Sequence, residues 1–467
     1  MVLPKTTPST ARIMTLLFIG VLMGALDISI VGPAIPAIEE TIKMNQRDVS
    51  WIFSVYILFN LIGITPISRL SDIHGRRGMY LLSVTVFALG SLIVSVSSGI
   101  TVLLIGRAIQ GIGSSGIFPV AVAVIGDIYP PEKRGRALGL IGAVFGLAFM
   151  MGPLIAGSLL MFFPWHVLFL INIPVAAFLI IGGYRLLPSV KLSTSGVVDW
   201  KGALFLGLFL ACFTLGINLM DTGKWMESLM STRVMSLFAM AAVFLFILIL
   251  LEKRHVHPII NLRYFKNRQI RIVGLISMGL GMFQAMTVFL PKMAVRLLDV
   301  SVSRASFMLI PIVAASALAS PLAGRLIDKA GSRVVIFSGL LISFIGLFLF
   351  SLTSRSFSVF YLCGALIGLG FSFRASLNYI ILNEAGPGDR ASAQGLLIIF
   401  ISIGQLTGAA LVGAVTSSAG LPEKGYHQSF TYLAGIAAIL TILSIFLKNR
   451  TSEKDFISAR VPKPVEP

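Results

Sequence analysis

Runs of apolar residues about 20 positions long, the length that carries a helix across the hydrocarbon core of a bilayer, recur along the whole chain and alternate with short polar segments. We read fourteen of them, near 13–38, 49–68, 79–97, 101–128, 136–161, 167–187, 200–220, 234–251, 271–291, 305–324, 334–352, 358–383, 392–416 and 429–447. The connecting segments are short, so a soluble catalytic domain has no room. The pattern predicts an all-α integral membrane protein with 14 transmembrane helices. The first run is too long for a signal-peptide core and lacks a small-residue cleavage site, which makes it a retained first span.

Composition agrees with the pattern. Of 467 residues, 56% are hydrophobic and 12% charged, with a mean hydropathy of +0.93. A soluble domain carries about 25% charged residues, so this chain has too little charge to coat a water-facing surface. The 37 Lys and Arg against 19 Asp and Glu give a formal net charge of +18, which taken alone points to nucleic acid. Placement changes that reading. With the amino terminus in the cytoplasm, twenty-six of the cations fall on the cytoplasmic side and nine opposite, while Arg107 and Arg374 lie inside spans. This is the positive-inside pattern. It replaces a nucleic-acid partner with an orientation: a multi-pass protein of the cell (plasma or inner) membrane with both termini cytoplasmic.

Cys212 and Cys363 fall within spans, where a thiol is a small packing residue. His74, His166, His255, His257 and His427 map to loops or span ends. No disulfide, metal site, cofactor or enzyme chemistry is therefore expected, and no repeated ring of charge marks a channel.

The chain repeats itself. Ser68-Arg-Leu-Ser-Asp72-Ile-His-Gly75-Arg-Arg77 returns as Gly324-Arg-Leu-Ile-Asp328-Lys-Ala-Gly331-Ser-Arg333, with both Asp72 to Asp328 and Gly75 to Gly331 separated by 256 residues. Gly111-Ile-Gly113 returns as Gly368-Leu-Gly370, and Pro130 as Pro387, at 257. Six spans need only about 190 residues, and the surplus between 188 and 270 holds two further runs, Gly202 to Leu219 and Val234 to Leu251. The expected organisation is a cytoplasmic tail (1–12), a six-helix bundle (13–187), two inserted helices with their linkers (188–270), a second six-helix bundle (271–447) and a cytoplasmic tail (448–467). Two inserted helices keep both bundles in the same orientation, a transporter arrangement.

With these features the chain resembles the major facilitator superfamily, and within it the fourteen-span drug/proton antiporter branch. The residues that carry the resemblance are Ser68 to Arg77, Leu103-x-x-x-Arg107-x-x-Gln110-Gly111-x-Gly113, Asp127-x-x-Pro130 to Arg134-Gly135-Arg136, and Gly142-x-x-x-Gly146 followed by Gly152-Pro153-x-x-Ala156-Gly157. Leu26-Asp27-x-x-Ile30-Val31, Trp51 to Tyr56, Trp165 to Pro174, Asp199-Trp-x-Gly202 and His257 to Arg268 resemble segments of the fourteen-span branch. Gly32 stands where that branch commonly has asparagine, and His166 where it commonly has arginine.

The resemblance implies alternating access with substrate bound between the two bundles, coupled to protons, and hydrophobic, often cationic, drug-like substrates. A lipid or another amphipathic metabolite is the alternative cargo. The expected partners are a small molecule, protons and the lipid bilayer, in a protein that acts as a monomer. Asp72, Gly75, Arg76, Arg77, Asp127 and Arg134, with Asp328 in the second half, are expected to form a cytoplasmic latch, or else simply to hold the loops inside. Gly75 and Gly331 suit the tight reversal such a loop needs. Gly142, Gly146, Gly152 and Gly157 permit close helix approach and Pro153 bends its helix, which suits a hinge or a bundle seam as well as ordinary packing.

Charges inside spans are costly and mark functional positions by default. Asp27, Arg107 and Arg374 have no charged mirror in the repeat, Asp27 projecting onto Gln284. Burial favours a protonated carboxyl and a nearby cation favours an ionised one, so Asp27 can load and release a proton as a cavity opens and closes. Arg107 would stabilise its ionised form, and a static Asp27–Arg107 pair is the other reading. Gln110, one turn from Arg107, together with Gln284, Arg374 and Asn378, is expected at the substrate cavity, where Arg374 would meet an anionic group unless it snorkels to headgroups. Phe283, Met286, Phe371 and Phe373 are further candidates to line it.

Overall fold

The computed structural model describes residues 10–44, 46–129, 140–141, 144, 147–148, 151–188, 198–253, 255, 258–260, 262–352, 356–384 and 390–453, apart from the side chains of 46, 47, 328, 390–392 and 422. Every regular element among them is helical. Apolar side chains face lipid at little cost, but an unpaired backbone amide does not, and a helix pairs its amides internally.

The first half contains α1 (Thr10–Thr41), α2 (Gln46–His74), α3 (Arg76–Ser95), α4 (Ile100–Ile128), α5 (151–159), α6 (His166–Leu170) and α7 (Asn172–Leu186). Next come α8 (Trp200–Leu219), α9 (Trp225–Leu229) and α10 (Thr232–Glu252). The second half continues with α11 (Arg268–Thr287), α12 (Leu290–Leu298), α13 (Val302–Phe307), α14 (Ile310–Ala330), α15 (Ser332–Leu352), α16 (Phe357–Gly370), α17 (Arg374–Glu384), α18 (Arg390–Ser418) and α19 (Pro422–Ser444).

Thirteen stretches among the described residues are long and apolar enough to cross a membrane. They match the expected spans except the fifth. That span, 136–161, falls largely outside the described residues, and α5 is the part of it that is described. Gly142, Gly146 and Arg134 also lie outside them.

The chain divides by packing into two compact units. The first holds the described residues up to Ile259 with Thr287–Met308 and Ala409–Ser418; the second holds Ile260–Met286, Leu309–Gly408 and the described residues from Ala419. In the first unit, α4 packs between α2 and α3, α7 covers α1 and α3, and α12 and α13 lie against α1. The inserted helices α8 and α10 form a hairpin, with Phe205 on Phe244 and Phe213 on Phe238. Asp199 caps α8 by accepting a hydrogen bond from the Gly202 amide at 2.7 Å, which gives the Asp-Trp-x-Gly segment a local structural purpose. The hairpin docks on α2, where Asn218 donates to Ser50 at 2.8 Å. In the second unit α15 packs against α14, α16 and α19.

The sequence repeat has a structural counterpart. Gly75 and Gly331 separate consecutive helices with positive φ angles of 99° and 88°, a backbone that favours glycine. Gly113 and Gly370, also repeat-related, let their helices touch a neighbour closely. A Cβ on Gly113 would sit 2.3 Å from the Phe87 nitrogen of α3, and one on Gly370 would sit 1.9 Å from Ser343 Oγ of α15. Gly113→Val is therefore expected to cost about 1–3 kcal/mol by overpacking, read as a lowered melting temperature of the purified protein. Gly78→Ala, with open space around the new methyl, leaves it unchanged or slightly raised.

Candidate functional site

Four helices of the first unit converge on one carboxylate. Asp27 lies on α1 with no exposed surface, as do Arg107 and Gln110 on α4. Arg107 Nη1 donates to Asp27 Oδ2 at 2.6 Å and to Gln110 Oε1 at 2.8 Å. Gln110 Nε2 donates to Asp27 Oδ1 at 2.9 Å and to Ser91 Oγ of α3 at 2.8 Å. Asn172 at the start of α7 donates to the same Asp27 oxygen and to Ser91, each at 3.1 Å.

The guanidinium is held as firmly. Arg107 Nε donates to the Ile52 carbonyl of α2 at 3.1 Å, and its Nη2 has no hydrogen-bond partner among the described residues. Tyr56 and Phe169 place their rings 4.3 and 5.9 Å from the guanidinium carbon, within reach of cation–π attraction. Tyr56 in turn donates to Ser114 Oγ at 2.7 Å, and Asn60 donates to the same oxygen at 2.6 Å.

The arrangement is a buried charge pair whose every carboxylate contact is a donor. Inside a membrane protein such a pair persists only if its desolvation is offset by geometry and by further hydrogen bonds, and both are present. Its donors, from Arg107, Gln110 and Asn172, match the geometry of a carboxylate, whose oxygens only accept.

Sequence reasoning placed Asp27, Arg107 and Gln110, and the structure joins them. Gln110, expected at a substrate cavity, is instead fully buried and spends its amide on Asp27 and Ser91. Asn172, Ser91, Tyr56, Asn60 and Ser114 were missed. Asn172 and Tyr56 stand inside segments that resemble the fourteen-span branch, a signal that was available; single serines in spans carry none.

A second cluster lies at the turn between α2 and α3. Arg76, 7% exposed, pairs with Asp72 at 2.5 Å and with Asp127 at 3.1 Å, and donates to Ser71 Oγ at 2.7 Å. Arg77 stays outside the cluster, with its guanidinium 5.1 Å from the Tyr184 ring. In the second unit Glu384, 257 residues after Asp127, takes an equivalent place. It accepts from Asn267 at 2.7 Å and pairs with Lys448.

The glycines of the span 5 motif that are described make close contacts. A Cβ on Gly152 would meet Ser29 Oγ of α1 at 2.1 Å, and one on Gly157 the Phe307 ring of α13 at 3.0 Å. Ser303 of α13 donates to the Gly157 carbonyl at 2.6 Å. Pro153 is buried on α5 beside them. Gly32 also sits against a neighbour: Val288 backbone atoms lie about 3 Å from where its Cβ would be, tighter than an ordinary contact. Near the end of α1, Glu39 pairs with buried Lys292 at 2.9 Å and with Arg296 at 3.1 Å.

Of the expected cavity residues in the second unit, Gln284 accepts from Gln405 at 3.2 Å. Arg374 is exposed and Asn378 half-buried, one turn apart on α17, after a short 3₁₀ stretch at Phe371–Phe373 that interrupts the span. Phe283, Met286 and Phe373 are buried packing residues.

The family model of the Major Facilitator Superfamily matches residues 17–316 and 272–467. The chain belongs to the Major Facilitator Superfamily. This superfamily member is a transporter, not an enzyme, and a multi-pass membrane protein. It is 30% identical over 419 residues to "Multidrug resistance protein 3" of Bacillus subtilis (strain 168), covering 88% of this chain and 80% of that relative. It is 26% identical over 459 residues to "Riboflavin transporter RibZ" of Clostridioides difficile (strain 630), covering 94% and 98%. A solved nucleoside transporter, NupG, shares the superfamily fold with a TM-score of 0.65 at 14% identity, covering 93% of this chain and 98% of that one.

Removing one member of a buried pair strands the other. Arg107→Met should cost about 3–5 kcal/mol, seen as a lowered melting temperature, while the double variant Asp27→Leu with Arg107→Met recovers part of the loss.

Proposed function

We propose that the chain is a proton-coupled secondary exporter of hydrophobic or amphipathic, often cationic, small molecules. The observation that carries this reading is the fully buried Asp27–Arg107 pair with its donor shell. An acid kept from water and matched to its ionised form is a poor scaffold and a good switch. Protonation cancels the attraction to Arg107, so the network holds one arrangement in the ionised form and relaxes in the protonated one. Proton entry and exit are then tied to a change in the packing of α1 against α4 and α7.

In this reading the chain has fourteen spans, two six-helix bundles of 13–187 and 271–447 with the pair of inserted helices between them, and both termini in the cytoplasm of the cell membrane. It works by alternating access as a monomer. Asp72, Arg76 and Asp127 act as a cytoplasmic latch, supported by their ion pairs. Gly152, Pro153 and Gly157 form the seam that must open and close, supported by their contacts with α1 and α13. The printed names of several relatives, among them "Multidrug transporter protein MdtP" of Bacillus subtilis (strain 168), support drug-like cargo.

One observation favours a second cargo. Arg374 is an exposed cation in the middle of a span, without an ion pair among the described residues, and it suits an acidic lipid or another anionic amphiphile.

The test uses purified protein in proteoliposomes under an imposed pH gradient, with ethidium and a fluorescent acidic lysolipid as probes. Wild-type protein is expected to accumulate ethidium, and Asp27→Asn to lose at least ten-fold of the gradient-driven rate while inserting normally. Transport of the lysolipid but not ethidium establishes the second cargo. Unchanged gradient-driven transport by Asp27→Asn overturns the coupling role.

A further inference from the structure

We propose that Asn172 is the positioning residue that holds the Asp27 carboxylate in its ionised form and thereby sets the pH at which it takes up a proton. This rests on the reading of Asp27 as the coupling acid, and goes beyond it by assigning the control of that acid to a residue on a different helix.

The sense of the contact is fixed by chemistry. An amide nitrogen donates two hydrogens and accepts none, and both hydrogens of Asn172 are used, one on Asp27 Oδ1 and one on Ser91 Oγ, each at 3.1 Å. Gln110 Nε2 donates to the same carboxylate oxygen. A proton on Oδ1 would point at two N–H donors, and a proton on Oδ2 would point at Arg107. The whole shell is therefore built for the anion.

Asn172 is the member of that shell that does not lie on α4. Arg107 and Gln110 also bind each other, whereas Asn172 comes from α7, where the chain starts a new helix directly after α6 and Ile171. It is 5% exposed. Among the described residues its amide nitrogen donates to the Asp27 and Ser91 oxygens, so a movement of α7 relative to α1 removes a donor without breaking the charge pair.

The other charged or titratable groups around Asp27 are accounted for. From α4 there is Arg107, and from α2 Tyr56, whose hydroxyl donates to Ser114. From α3 there are the neutral Ser91 and Tyr80, whose hydroxyl lies against α1 at Gly20, seven residues before Asp27. On α6, His166 faces the Ser97 carbonyl at 3.4 Å. On α12, Lys292 and Arg296 pair with Glu39, about three turns along α1 from Asp27. On α13, Arg304 is exposed at the surface.

The experiment follows the protonated-carboxyl band of Asp27 by infrared difference titration of the full chain in nanodiscs, the band being identified by its loss in Asp27→Asn. Deleting a hydrogen bond to a charged group raises the titration midpoint, because the ionised form loses a donor. Asn172→Leu is expected to raise it by about one to two pH units, while Asn172→Gln, which keeps an amide donor, stays near the wild-type midpoint. If thermal unfolding shows that Asn172→Leu does not fold, Asn172→Ala, which adds no bulk, carries the same expectation. An unchanged midpoint in the folded donor-less variant overturns the proposal, as does an equal rise in Asn172→Gln, since a packing role alone predicts no dependence on the donor. Unchanged gradient-driven transport by Asp27→Asn overturns the coupling role of Asp27 itself, an outcome separate from any midpoint measured at Asn172.

Discussion

A charge in the interior of a membrane protein has to be matched there, because neither lipid nor packed side chains can solvate it. At Asp27 that requirement organises the first unit. Meeting one carboxylate takes a guanidinium and an amide from α4 and a second amide from α7, with a serine from α3 satisfying both amides. Both α4 and α7 must come within hydrogen-bonding distance of the α1 carboxylate, and α3 within reach of the two amides. The close contact of α3 and α4 at Gly113 permits it.

The guanidinium is equally constrained, and by cheaper means. A backbone carbonyl and two aromatic faces take part of the load that a second carboxylate would carry elsewhere. Aromatic faces attract a cation without adding a group that must itself be neutralised. The result is a pair with one negative and one positive centre and no surplus charge among its immediate neighbours.

The repeat shows how one architecture is given two different tasks. Both halves turn at a positive-φ glycine, Gly75 or Gly331, and both carry an acid at the end of the equivalent span, Asp127 or Glu384. The partners differ. Arg76 follows its glycine directly in the first half, whereas the cation in the second half is Lys448, after the last span. At the position of Asp27 the divergence is complete: the second half has Gln284, which hydrogen-bonds to Gln405. A neutral amide pair there can hold geometry but cannot exchange a proton.

Much of this was legible in the residue order. Apolar run length determined the spans, cation placement the expected orientation, and spacing the repeat, because each depends on local composition and on the thickness of a bilayer. Asp27 and Arg107 stood out because charge within a span is rare. What surrounds them was decided only by tertiary structure. Asn172 lies 145 residues from Asp27 and Ser91 lies 81 from Asn172, and neutral polar residues in spans leave no trace in hydropathy. The partners of Gln110, Asp27 and Ser91, come from two other helices and are not legible from its spacing to Arg107. Gly32, a departure from the family pattern by sequence, gains a packing role once Val288 is seen against it. Residue order specifies what must be buried and what must be paired; which groups meet depends on how the helices pack.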